Sequence, residues 1–186
     1  MRRRLLLVLA VLPLLGGAAA RPPAWAVVRD ASTLSLEVRA FGSTQRGRFE
    51  DWRGDIAFDP ARPQATRADV VVQTASLRMG SGTTTRQALG RDFLDAARYP
   101  TVRMQLRALE PAGGSRYTAR ADVTIKGQTR AVTFPVDLRS DGDRAQLTGG
   151  LSIDRTAFGI GTNGPLNGLI ARQVTVRVSL TARREG

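Results

Sequence analysis

Between residues 117 and 138 the chain alternates apolar and polar side chains, changes phase at a glycine, and alternates again. The apolar positions are Tyr117, Ala119, Ala121, Val123 and Ile125, then Val132, Phe134, Val136 and Leu138. A period of two belongs to the strand, whose successive side chains point to opposite faces. The stretch therefore reads as an antiparallel hairpin with one apolar face. A two-residue II′ turn at Gly127-Gln128 sets Lys126 opposite Thr129, Val123 opposite Val132 and Ala121 opposite Phe134. Whatever else the chain does, it must cover that face.

The same rhythm runs through most of the sequence. Leu34, Leu36, Val38 and Ala40 alternate with Thr33, Ser35, Glu37 and Arg39. Phe49, Trp52, Ile56 and Phe58 mark a second, interrupted strand, and Val70 and Val72 are the inner set of a third. Val102, Met104, Leu106 and Ala108 form a fourth, and an even-length loop at 110–114 sets Met104 against Ala121. Asp141-Gly142 is an I′ signal that places Val136 against Leu147 and Phe134 against Gly149. The last strand carries Val174, Val176, Val178 and Leu180. Pro135, on the outward parity, predicts a bulge, since it cannot donate to a ladder. Residues 79–100 break the rhythm: Leu89, Phe93, Ala96 and Ala97 recur at helical spacing, so a short helix, or two turns broken at Gly90, is expected there.

Eight strands of up to about ten residues, each spanning roughly 30 Å at the usual rise, make a meander with long edges and a wide apolar face. Closing it hides both. The predicted fold is all-β, an eight-stranded antiparallel barrel with a short helical segment between strands three and four, whose interior has room for packed side chains or for one ligand.

The chain contains neither Cys nor His, which excludes thiol nucleophiles, disulfides and imidazole triads, and removes the usual soft metal ligands. The carboxylates Glu37, Asp51, Asp55 and Asp92 are scattered without a second group to form an acid–base pair, so no catalytic residue and no metal ligand is assigned. The glycine-rich pieces at Gly80 and Gly159 lack the Lys-Ser/Thr of a phosphate loop. Residues 1–20 combine Arg2, Arg3 and Arg4, an apolar run from Leu5 to Leu15 and a small-residue end at Ala18–Ala20, the pattern of a secretory signal peptide cleaved near Ala20. An exported domain over residues 21–186, in the periplasm, is the expectation. Basic residues number 28 against 16 acidic, which favours anionic surfaces; export and an aromatic content of only 5% argue against nucleic acid.

Inward candidates are Leu36, Val38, Phe49, Phe58, Val72, Met104, Ala121, Phe134 and Leu151, with Trp52, Leu89, Phe93 and Phe158 toward an entrance. They suit a packed core and a lipid pocket equally, because both need the same residue types. The small Ala119, Ala121, Gly149 and Gly150 favour an open lumen, whereas Phe134 between them favours a filled one. Arg130 shares parity with Val132 near a barrel end, and Arg86 and Arg155 lie on flanking segments; each is a candidate for an anionic head group or a solvated or loop-holding arginine.

Five segments together resemble the YceI family of exported bacterial lipid-binding proteins: WAVVRDASTLSLEVRAFG from Trp25, GRFEDWRGDIAFDP from Gly47, GRDFLDAARYP from Gly90, VTIKGQTRAVTFPV from Val123 and LSIDRTAFGIG from Leu151. The resemblance implies a lipocalin-like barrel holding an isoprenoid-type chain, with no cofactor beyond that bound lipid and no chemistry of its own. Ala31 departs from the family pattern where His is usual, and Gln87 follows Arg86 where an Arg-Asp pair is common. The implied task is carriage of a polyisoprenoid, an isoprenoid quinone or a fatty amide by a monomer or homodimer that touches anionic membrane transiently. The alternatives are an envelope stress protein without cargo and, further off, a basic nucleic-acid-binding barrel.

Overall fold

The computed structural model describes residues 21–164 and 167–185; the signal-peptide reading of residues 1–20 lies outside them. Eleven strand segments and one helix follow one another: β1 (Ala24–Val27), β2 (Thr33–Ala40), β3 (Ser43–Phe49), β4 (Trp52–Ala57), β5 (Arg67–Gln73), β6 (Leu77–Met79), α1 (Gly82–Leu89), β7 (Thr101–Pro111), β8 (Arg116–Ile125), β9 (Gln128–Asp141), β10 (Arg144–Asp154) and β11 (Ile170–Arg184). β1 with β2, β3 with β4, and β5 with β6 are each one strand broken by a short irregular link. Counted that way there are eight, joined in chain order, every neighbour antiparallel. The ring shuts where β1 meets β11, with Val27 opposite Ala182 and Trp25 opposite Arg184. Arg29, in the first link, donates to the carbonyls of Trp52 and Glu50 and so fixes the first two breaks against each other.

The inward set is as the alternation predicts, but the hairpin registers differ by two residues each. Ile125 faces Gln128, so Val123 stands opposite Arg130, Ala121 opposite Val132 and Ala119 opposite Phe134. The turn is Lys126-Gly127, both with positive φ (50° and 72°), the I′ form. Lys126 is held in that unfavourable conformation by its ammonium, which donates to the carbonyls of Arg91 at 3.2 Å and Gly159 at 3.0 Å. At the next hairpin the turn is Gly142-Asp143, with Leu147 opposite Leu138 and Gly149 opposite Val136. Met104 faces Val123 rather than Ala121. Each of these slips is even, so none of them moves a side chain off its predicted face.

One change is odd. The β7–β8 ladder shifts register between Leu106 and Ala108, a bulge that turns Leu109 inward, 3% exposed, in place of the expected Ala108. The bulge predicted at Pro135 is absent; the β8–β9 ladder passes through it unbroken. Pro135 instead marks where β9 parts from β10, the ladder between them ending at Val136.

Two apolar clusters lie toward the two ends of the barrel. At the base Trp25, Phe58, Leu109, Ala119, Val136, Leu138, Ala145 and Ala182 pack together. There the Trp25 indole N–H donates to the Phe58 carbonyl at 2.8 Å, and the two rings meet at 6.1 Å. At the other end Val123, Ile125, Ile153 and Phe158 pack under the 155–161 segment. Outside, Arg–carboxylate pairs cross neighbouring strands, as in Arg103–Asp69, Arg107–Asp122 and Arg46–Glu37. Exposed pairs of this kind contribute at most about 1 kcal/mol each.

Candidate functional site

The β11 side chains Val174, Val176 and Val178 point inward, as do Leu34, Leu36 and Val38 on the strand beside them, yet all six are only half-buried. The area they leave open faces the lumen. A cavity of about 350 Å³ runs through the barrel, bounded by inward side chains of every strand and by α1. Along β11 the wall includes Ile170 and an unbroken alternating run from Val174 to Ala182, the run spanning roughly 26 Å at the usual rise per residue. This is the size and character of a small-molecule pocket, apolar with few polar groups, but drawn out lengthwise.

Of the candidates, Leu36, Val38, Phe49, Trp52, Phe58, Val72, Phe93, Met104, Phe134 and Leu151 border the cavity. Phe134 narrows the lumen without filling it. Leu89, Ala121 and Phe158 do not border it. Ala121 faces inward and is 2% exposed, but its ladder partners Leu106 and Val132 carry larger side chains. Phe158 is buried in the cap over the mouth-side cluster, and Leu89 ends α1 away from the lumen.

The three arginines divide. Arg130 is exposed and donates to its own turn, to the Thr129 carbonyl at 2.8 Å and the Gln128 side chain at 3.5 Å. Arg86 is exposed on α1 and reaches Thr83 at 3.2 Å. Neither borders the cavity. Arg155 does, and is 2% exposed, but its guanidinium is fully engaged: it donates to the carbonyls of Ala171, Ile160, Gly161, Asn167 and Ile170 and to the Asn167 side chain, all between 2.7 and 3.0 Å. It gathers both ends of the 155–170 segment around one planar fork. Gly161 closes this cap, its φ at +57° and the place of a Cβ only 2.8 Å from the Phe93 ring, so that Phe93 can lie across the mouth.

Asp154, next to Arg155, anchors the same cap. It accepts from the Thr156 hydroxyl at 2.6 Å, the Thr156 amide at 2.9 Å and Arg172 at 2.7 Å. The Thr156 hydroxyl foremost, then Arg172, holds its carboxyl at about 2, below the ordinary 3.8. Because the folded value is the lower one, the contribution of Asp154 is complete above about pH 4 and is lost as the pH falls through about 2. Carboxyl titration followed by NMR is expected to show that midpoint, and Thr156→Val to raise it.

The other carboxylates face outward. Glu37 accepts from Arg46 and Arg177, Asp51 lies 3.7 Å from Arg29, and Asp55 stands opposite Asp69 on the outer face. Among the described residues no group of three or more His, Cys, Asp or Glu converges as a metal site would require. Sequence reasoning missed the wall residues Trp25, Gln45, Thr66 and Gln87. Trp25 could have been found, since it stands two positions before Val27 at the start of the first strand.

Residues 25–182 match the family model of the YceI-like domain. The chain belongs to this family. Similar curated proteins include a UPF0312 protein of Pseudomonas syringae pv. tomato, 28% identical over 135 residues that cover 69% of this chain and 70% of the relative. A second, from Pseudomonas savastanoi pv. phaseolicola, is 30% identical over 125 residues, 64% of this chain and 65% of that one. Among solved structures, BcnA of Burkholderia cenocepacia superposes with a TM-score of 0.79 at 29% identity, covering 83% of this chain and 98% of BcnA. A Saccharophagus degradans domain described as polyisoprenoid-binding shares the fold at 17% identity and a TM-score of 0.66, covering 88% of this chain and 99% of that one. In this YceI-like barrel the apolar lumen is the cavity bounded by side chains of every strand.

Proposed function

We propose that this protein is a periplasmic carrier that encloses one long-chain amphiphile, such as a polyisoprenoid, an isoprenoid quinone or a fatty amide, and performs no chemistry on it. The observation that carries this reading is the continuous apolar cavity along the barrel, onto which half-buried valines and leucines at mid-height open. Each methylene transferred from water into such a lumen contributes ~0.8 kcal/mol, so a long tail outweighs any single head-group contact. The Saccharophagus neighbour, described as polyisoprenoid-binding, supports the same class of cargo.

Loading from an anionic membrane surface fits the mouth. Phe41 borders the cavity and is 51% exposed, Leu169 is 56% exposed, and the Phe41 amide donates to the Leu169 carbonyl at 2.9 Å. The exposed Arg39, Arg86, Arg91 and Arg98 lie on the neighbouring strand end, helix and loop. Two apolar tips among cations suit a negatively charged interface.

Protein purified from its native host, extracted with organic solvent and analysed by mass spectrometry, is expected to release a long-chain lipid in near-stoichiometric amount. An empty extract, with no uptake of added polyprenol or fatty acid, would return the protein to the class of envelope proteins without cargo.

A further inference from the structure

The cavity is open along its length and closed at its base. Leu34, Leu36 and Val38 on β2, and Val174, Val176, Val178 and Leu180 on β11, border it and are half-buried. Below them Trp25, Phe58, Leu109, Ala119, Ala145 and Ala182 are only 2–5% exposed, area toward the lumen included. Two aromatic rings set among three alanines make this floor, the small residues leaving the space that the rings fill.

The floor is firmly held. The Trp25 indole donates to the Phe58 carbonyl at 2.8 Å, the Phe58 amide donates to the Pro23 carbonyl at 3.0 Å, and the Arg184 guanidinium covers the Trp25 ring at 5.7 Å. Strand β1, which carries Trp25, pairs with both β4 and β11. From Val174 to Leu180 the open wall runs about 20 Å along the strand, or about 15 Å along the axis at a tilt of about 40°, the length of about twelve methylenes in an extended chain. The volume gives the same count, since at about 27 Å³ per close-packed methylene a cavity of about 350 Å³ holds about thirteen. One straight tail fills the lumen, with no room to double back. The tail enters first, because an ionised head would find no partner at the floor. Among the described residues Arg155 is the one charged side chain bordering the cavity, and it lies at the mouth with its donors engaged.

We infer that the Trp25–Phe58 floor selects cargo by chain length, stopping the tip of a bound tail about twelve to thirteen methylenes below the mouth. This rests on the carrier reading and narrows its cargo to tails of that length, a longer polyisoprenoid keeping its excess outside the barrel.

The test uses delipidated protein and the saturated fatty acids from decanoic to docosanoic, with Kd read by displacement of a fluorescent fatty acid. In wild type the affinity is expected to rise about fourfold per methylene and to level off near tetradecanoic to hexadecanoic acid. Trp25→Ala deepens the floor and is expected to move that break about four carbons longer, with decanoic acid changed less than about twofold. Phe58→Ala keeps the carbonyl that Trp25 bonds and should move it about three carbons longer. Leu180→Trp adds bulk to the open wall just above the floor and should move it about two carbons shorter. A break that stays in place in both deepening variants, or a wild type with no break up to docosanoic acid, would show that the floor does not measure the tail although the carrier reading stands. If neither deepening variant folds, Leu180→Trp decides: a shortened break supports the floor and an unmoved one overturns it. If wild type binds none of the acids and releases no lipid from its host, the carrier reading itself fails.

Discussion

Val176→Trp leaves the barrel folded and empty. Val176 lies at mid-height on β11 between Leu36 and Leu151, and its half-exposed side chain opens onto the lumen rather than onto a neighbour. An indole there occupies the path of a bound chain. Displacing about four methylenes at ~0.8 kcal/mol each removes about 3 kcal/mol of binding, roughly a hundredfold in Kd. Lipid retention through purification and the affinity for added chains are the measurements, with circular dichroism and melting as controls for folding. The contrasting variant is Ala121→Trp, inward but off the cavity wall. It is expected to overpack and cost about 1–3 kcal/mol of stability. Undiminished uptake by Val176→Trp would mean that chains do not lie in the lumen.

Arg155→Ala acts on the mouth. The substitution withdraws every donor from five carbonyls that the guanidinium draws together, and leaves a void behind the Gly161–Phe93 contact. Some of those carbonyls regain water; those that stay buried do not. A loss of about 3–5 kcal/mol in urea unfolding is expected, at the high end for a single substitution. Arg155→Lys restores the charge but offers three donors on a point-like ammonium in place of a five-donor fork, so only part of the loss returns. A change below about 0.5 kcal/mol would show that the 155–170 cap is held by other contacts.

The architecture was legible because alternation survives wherever one face is buried, as along β8, along β9 from Val132 to Leu138 and along β11 from Val174 to Leu180. The exact pairing was not. Gly127 and Gly142 each allow two adjacent turn placements, and the choice is made by contacts distant in sequence, such as Lys126 reaching Arg91 and Gly159. The bulge at Arg107 carries no glycine or proline to announce it. For the site, parity identifies which side chains face inward, but whether an inward residue meets open space depends on the bulk of its neighbours. That is why Ala119 borders the cavity and Ala121 does not. Thr66 carries no signal in the sequence, since nothing local shows that its hydroxyl lacks a partner. Arg155 remained open between head group and loop until its six acceptors could be named.

The even hairpin slips and the single bulge in β7 also govern how such a wall can change length. Two residues gained or lost at a tip move a strand by a full pleat and keep its greasy side within. One residue turns it inside out from that point onward. The extra residue at Arg107 is the local remedy, confining an odd step to one strand so that Leu109 still points to the middle.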